Sequence, residues 1–162
     1  MIERTLVLLK PDAVERGIIG ELLSRFEKTG LKIVGLKMTW IDPKFSKRHY
    51  SAHVGKPFYP GLERYITAGP VIAIALEGVH AVANVRKLVG DTNSHKAPPG
   101  TIRGDYGHMS LDFADKSRRQ YTNLIHASGN LDDAKKELAL WFTKKELHTY
   151  KTVHEKHVFG WR

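Results

Sequence analysis

The chain predicts an α+β fold: a ferredoxin-like, split β-α-β arrangement with helices packed mainly on one face of a four-stranded antiparallel sheet, followed by a C-terminal tail. Apolar periodicity runs in the order β-α-β-(αα)-β-α-β-α, without internal repeat or low-complexity segment. A doubly wound parallel sheet would want more than these four strand-like runs. At 162 residues with 41% hydrophobic content, the chain can bury one substantial core, so residues 1–162 are expected to form a single domain.

The elements follow in order. Residues 4–10 hold the continuous run Leu6-Val7-Leu8-Leu9, the pattern of a buried central strand, cut off at Pro11 with Lys10 at its end. Ile18, Ile19, Leu22, Leu23 and Phe26 make one helical face, closed by Gly30. Residues 31–40 read as a second strand in which Val34, Leu36, Met38 and Trp40 alternate. Asp42-Pro43 supplies an N-cap and a first-turn proline for a helix reaching about Ala52.

A break at residues 56–61 precedes a helical set of Leu62, Tyr65 and Ile66, ended by Gly69-Pro70. The third strand, residues 71–76, is apolar on both faces, and Val79, Val82, Val85 and Val89 form a helix that stops at Gly90. Residues 91–101 make a polar loop, and 105–120 read as an irregular inserted excursion. Residues 121–125 form the fourth strand. A helix carrying Ala134, Leu138, Trp141 and Phe142 follows, with Asn130 as N-cap, and then a tail over residues 143–162 with one turn near Lys144.

Composition narrows the chemistry. With no cysteine, disulfides, thiolate metal sites and cysteine nucleophiles are excluded, which fits a reducing compartment. The first residues lead straight into a strand with no apolar signal region, and no run approaches membrane-spanning length, so a cytoplasmic protein without membrane partners is expected. A formal net charge of +9, spread along the chain, asks for an anionic partner such as a nucleotide or nucleic acid. Neither a Walker-type loop nor a Gly-x-Gly-x-x-Gly turn is present, so any phosphate must be held by side chains.

The stretch Asn123-Leu124-Ile125-His126-Ala127-Ser128 sets a histidine at a strand end just before a helix. Backbone N–H groups and a helix dipole there would favour anions and an uncharged imidazole, suited to nucleophilic attack on phosphate. A single histidine among apolar residues is more often a core residue with both nitrogens satisfied. What weighs against that reading is a set of side chains of types suited to phosphate, Lys10, Arg86, Thr92 and Arg103, several of them at element ends, although each alone is more often an ordinary surface residue.

With the motifs Thr5-Leu6-Val7-Leu8-Leu9-Lys10-Pro11-Asp12-Ala13-Val14, Arg16-Gly17, Gly20-Glu21, Gly100-Thr101-Ile102-Arg103-Gly104-Asp105 and Asn123 through Ser128, the chain closely resembles the nucleoside diphosphate kinases. The resemblance implies exchange of the γ-phosphate between nucleoside triphosphates and diphosphates, maintaining NTP pools through a phosphohistidine on His126. It implies that Arg86, Thr92 and Arg103 hold phosphates, that Lys10 and Asn123 bridge ribose hydroxyls and phosphate, and that Tyr50 lies beside the transferred group. Phe58 and Leu62 would hold the base by stacking and apolar contact, which implies broad base preference. Ser128 and Glu137 would orient the histidine from behind. The family uses Mg²⁺, bound mainly through nucleotide phosphates and not by a metal site of the protein, and assembles as homo-oligomers; a hexamer is expected over a tetramer.

Three departures from the family pattern stand out. Ala127-Ser128-Gly129-Asn130 replaces a Gly-Ser-Asp-Ser run, Ser94 stands where proline is common, and the excursion before Tyr121 is longer by roughly ten residues. The alternative function is a ferredoxin-like nucleic-acid-binding module using the basic surface. The runs 6–9 and 71–76 lack the paired aromatics such sheets use, which leaves nucleic acid as a secondary partner. The pairs His49/His53 and His154/His157 have two-ligand spacing but no third ligand, so no metal is assigned to them.

Overall fold

The computed structural model describes residues 1–160. Four strands, β1 (Ile2–Leu9), β2 (Lys32–Thr39), β3 (Val71–Val79) and β4 (Ile125–Ala127), form one sheet in the order β2-β3-β1-β4. Every neighbouring pair is antiparallel. This is the ferredoxin-like sheet. Among the described residues, no helix is long and apolar enough to cross a membrane.

The helices do not keep mainly to one face. The period of two in a strand sends Val7 and Leu9 of β1, with Ile72, Ile74 and Leu76 of β3, into one cluster, and Leu6, Leu8, Val71, Ala73 and Ala75 into another. The first is covered by α1 (Pro11–Glu15), α2 (Ile19–Glu27) and α5 (Ala81–Val89), through Ala13, Leu22, Phe26 and Val85. The second meets α3 (Pro43–His49), α4 (Tyr59–Ile66) and α8 (Leu131–Trp141), through Phe45, Tyr59, Ile66, Leu138 and Trp141. Continuous apolar strands demand cover on both sides, at about 1.5–3 kcal/mol per large side chain buried. No sheet face of β1 or β3 is therefore left open for RNA.

β2 is an edge strand with an irregular register: Ile33 faces Leu76 and Gly35 faces Ala75, so Val34 is an extra residue. Of the alternating set only Val34 is buried; Leu36, Met38 and Trp40 are 51%, 57% and 66% exposed. Asp42 caps α3 as expected, its side chain accepting from the N–H of Phe45.

The segment 105–120 is partly helical. It contains the end of α6 (Ile102–Tyr106) and then α7 (Leu111–Ser117), capped by Ser110 Oγ on the N–H of Phe113. Two short capped helices give too few turns for periodicity to register. The tail carries the expected turn at Lys144–Glu146 and a further α9 (Glu155–Val158). It folds back on β2 through His148 N–H to Val34 O at 2.7 Å and Tyr150 O–H to Ile33 O at 2.6 Å. Residues 161 and 162 of the expected tail lie outside the described residues.

Candidate active site

The fourth strand is shorter and later than its composition predicts, because the chain turns sharply before it. Leu124 has φ +68°, and the N–H of Ile125 donates to Asn123 O at 2.7 Å, a three-residue turn with a left-handed centre. That conformation costs a branched residue energy, so neighbours must hold it. Asp12 Oδ2 accepts the Leu124 N–H at 3.1 Å, and Leu124 O accepts the Lys10 N–H at 2.8 Å. Arg103 donates to the carbonyls of Asn123, Gly90 and Ile125, and so spends three of its five N–H groups on the backbone beneath the turn. Gly104 lets α6 pack closely against the preceding loop, where an added Cβ would clash with Pro98 O.

His126 lies inside β4, opposite Leu8, and not at the start of a helix. Its environment comes from side chains instead of a helix dipole. Nε2 is 3.0 Å from Glu137 Oε1, and Glu137 Oε2 accepts the Ser128 hydroxyl at 2.6 Å. Burial works to raise the Glu137 pKa, but the hydrogen bond and charge of His126 and the hydrogen bond from Ser128 outweigh it and hold the carboxyl below its usual range. An ionised carboxylate only accepts, so in the uncharged imidazole the proton sits on Nε2 and the lone pair is on Nδ1.

A second histidine packs against this ring. His49 lies with its centroid 4.7 Å from that of His126 at 82°, and its Nδ1 accepts from Trp141 Nε1 at 3.1 Å. Burial, then the charges of His126, Lys10 and His53, push its pKa well below the usual value, so it stays neutral. His49, His126 and Glu137 are the one group of three metal-ligating side chains among the described residues, with donor atoms within 4.8 Å of one another. Trp141 fixes the His49 proton on Nε2, which leaves no lone pair there for a metal. His53 points elsewhere, lining the pocket with Nδ1 3.3 Å from Lys56 Nζ.

His126 opens onto a pocket of about 1190 Å³. Lys10, Tyr50, Phe58, Leu62 and Arg86 line it from one part of the chain, Thr92, Arg103 and Asn123 from another. Ser128 and Glu137 stand behind the imidazole. The Arg86 guanidinium, the Thr92 hydroxyl and the buried Tyr50 hydroxyl have no hydrogen-bond partner among the described residues. Lys10 Nζ meets Asn123 Oδ1 at 2.7 Å, and Asn123 Nδ2 donates to Thr92 O at 3.1 Å. Burial, then the charge of Arg103, lowers the Lys10 pKa to about 7 against the opposing pull of Asp12. A pocket this cationic selects polyanions.

Family-level comparison agrees with this geometry. The model of the nucleoside diphosphate kinase family matches residues 3–147. This chain belongs to the nucleoside diphosphate kinase family. Its relatives include a nucleoside diphosphate kinase of Pyrococcus furiosus, 52% identical over 92% of this chain and 88% of that protein. One from Staphylococcus epidermidis is 47% identical over 95% and 97%. Among solved structures, a transition-state mimic of the Borrelia burgdorferi nucleoside diphosphate kinase with bound vanadate and ADP superposes with a TM-score of 0.93, at 38% identity over 98% and 97% of the two chains. The Halobacterium salinarum enzyme in complex with CDP gives 0.87, at 42% identity over 98% and 99%.

Two departures from the nucleoside diphosphate kinase pattern have local explanations. Asn130 caps α8, Oδ1 accepting the Asp133 N–H at 2.9 Å, while a Cβ on Gly129 would stand 2.8 Å from Asp133 Oδ2. Ser94 N–H donates to Tyr121 Oη at 2.8 Å, and the Tyr121 hydroxyl donates to Thr92 O at 2.7 Å, tying the polar loop to the pocket. Sequence reasoning missed Asp12, Tyr65, Tyr121 and His49. Asp12 was visible in the Lys10-Pro11-Asp12 motif, yet its partners Tyr65 and Leu124 lie 53 and 112 residues away. It also missed the wall of the pocket formed by Leu111 and Asp115 of α7 and by Arg118, Arg119 and Gln120 just after it.

Proposed function

We propose that this protein transfers the terminal phosphoryl group of a nucleoside triphosphate to a nucleoside diphosphate in two steps through His126. The observation that carries this is the imidazole held at Nε2 by Glu137, whose other oxygen is held by Ser128, on the wall of a pocket rich in Lys and Arg. In the first step the Nδ1 lone pair attacks the γ-phosphorus, the bond to the β–γ bridging oxygen breaks, and the diphosphate leaves with that electron pair. In the second, a β-phosphate oxygen of the acceptor attacks the same phosphorus, and the P–N electrons return to Nδ1.

Arg86, Thr92 and the two N–H groups that Arg103 retains hold the phosphates, and Lys10 with Asn123 bridges ribose and phosphate. Tyr50 directs its hydroxyl to the transferred group. Phe58 and Leu62, four residues apart at the start of α4, take the base on apolar surface and admit both purines and pyrimidines. Glu137 and Ser128 keep Nδ1 unprotonated and aimed. Mg²⁺ fits as a partner of the nucleotide: no cluster of carboxylates lines the described pocket to cage it, and when bound it supplies neutralisation of phosphate charge.

The apolar side chains of edge strand β2, exposed in one chain, support a homo-oligomer, for which a hexamer is the expected form. A single cytoplasmic domain spanning residues 1–162 is part of the same reading. The test is incubation with γ-labelled ATP, denaturation, and exposure to acid or alkali. Acid-labile, alkali-stable label that disappears in His126→Ala supports the proposal; an unlabelled protein, or label persisting in that variant, ends it.

A further inference from the structure

The charges lining the pocket are unequal in a way that phosphate binding does not explain. Lys10, Arg64, Arg86, Arg103, Arg118 and Arg119 are cations, whereas Asp115 is the one carboxylate among the described lining residues. Its side chain makes no hydrogen bond or ion pair among the described residues, although Arg118 lies three positions away. An unpaired carboxylate repels a triphosphate, so Asp115 does not serve the phosphates that Lys10, Arg86 and Arg103 suit.

Asp115 is i+4 from Leu111, so both project from one face of α7, one turn apart. Leu111 offers an apolar patch to a ring face, while Phe58 and Leu62 approach from α4. The two sides nearly touch: an added Cβ at Gly61 would stand 3.0 Å from Gln120 Oε1, just beyond α7. Asp115 therefore lines the same pocket as Phe58 and Leu62, on the face of α7 that carries Leu111.

We infer that Asp115 reads the edge of the base and biases the enzyme towards guanine. The inference rests on the nucleotide-binding reading of this pocket. A carboxylate only accepts hydrogen bonds. Guanine presents two adjacent donors, N1–H and the 2-amino group, which match its two oxygens. Adenine and cytosine present one amino group beside an acceptor nitrogen. Uracil and thymine present a single N–H between two carbonyl oxygens, which the carboxylate repels. The preference therefore runs from guanine, through adenine and cytosine, to uracil and thymine.

The experiment measures kcat/KM of the full-length protein for GDP, ADP, CDP, UDP and TDP as acceptors, in the wild type, Asp115→Asn and Phe58→Ala. The wild type is expected to favour GDP over TDP by about fivefold, the low end for a bidentate edge contact because the site is open to water. Asp115→Asn, whose amide can present either a donor or an acceptor, is expected to bring that ratio close to one. Phe58→Ala is expected to weaken all five together. A GDP-to-TDP ratio unchanged by Asp115→Asn, with Phe58→Ala still lowering every acceptor, overturns the role of Asp115 alone. If neither substitution alters any acceptor, the base does not bind in this pocket, and both readings fall.

Discussion

The carboxylate of Asp12 accepts the backbone N–H of Leu124 at 3.1 Å and so holds a branched residue in a left-handed conformation two positions before His126. Its other oxygen takes the Tyr65 hydroxyl at 2.6 Å, and Tyr65 Oη in turn accepts the Asn123 N–H at 3.2 Å. Asp12→Ala removes both supports of a turn that is costly by itself. Expected are a loss of stability of about 1.5–3 kcal/mol, the usual cost of a charge-assisted hydrogen bond, and a drop in kcat of about tenfold or more. Denaturant melts and steady-state kinetics check this; a variant with unchanged kcat would mean the turn does not need Asp12.

Glu137→Gln keeps the shape but not the charge that fixes the imidazole tautomer. The phosphorylation rate of His126 should fall about 10- to 100-fold, by analogy with partners that orient metal-bound histidines, and Ser128→Ala should cost less. Because the folded pKa of Glu137 is depressed, its stabilising contribution is complete above the ordinary carboxyl value of about 4.3 and is lost as acid titrates the folded group below it. Acid denaturation of Glu137→Gln should accordingly be less steep than that of the wild type.

Lys10, with a pKa of about 7, is half charged near neutrality before nucleotide binds. Phosphate then favours its ammonium form, so kcat/KM should decline as the pH rises above about 7, and Lys10→Gln should lose that limb along with most of its affinity. The same shift has a sign for stability. Between pH 7 and the unfolded lysine value of about 10.4, the unfolded chain holds the extra proton, so stability rises with pH across that window, and Lys10→Met should flatten the rise. Melting curves at several pH values read this directly.

Trp141→Phe retains an aromatic ring against Phe45, whose ring lies 4.8 Å away, but removes the donor that fixes His49. A buried acceptor left without a partner should cost about 1–3 kcal/mol. The His49 ring, no longer fixed, should also loosen its packing on His126. Nitrogen chemical shifts of the two imidazoles would report the change of tautomer; identical spectra would show that Trp141 does not set it.

How much of this was legible in the sequence depended on distance along the chain. Leu6 to Leu9 and Val71 to Ala75 announced the central strands because every residue of a doubly covered strand is apolar. Asp42-Pro43 announced α3 because a cap is local. By contrast, the start of β4 could not be read from residues 121–125, since the turn at Leu124 is imposed by Asp12, Lys10 and Arg103. The register of β2 was equally hidden: the extra residue Val34 appears only when β3 is laid beside it. In the site, Lys10, Arg103 and His126 were visible by residue type and motif. His49 and Asp115 were not, because each gains its meaning from neighbours on other elements.

β4 has only three residues, and the side chains that secure its surroundings are drawn from far along the chain. Lys10 bonds Asn123 across 113 positions, and Ser128 Oγ accepts the Leu6 N–H across 122. Closing loops of that span is slow and gains nothing until the rest of the sheet exists to receive the strand. During refolding, helical signal should therefore return well before phosphotransfer does, making recovered turnover a stricter gauge of the native state than regained secondary structure.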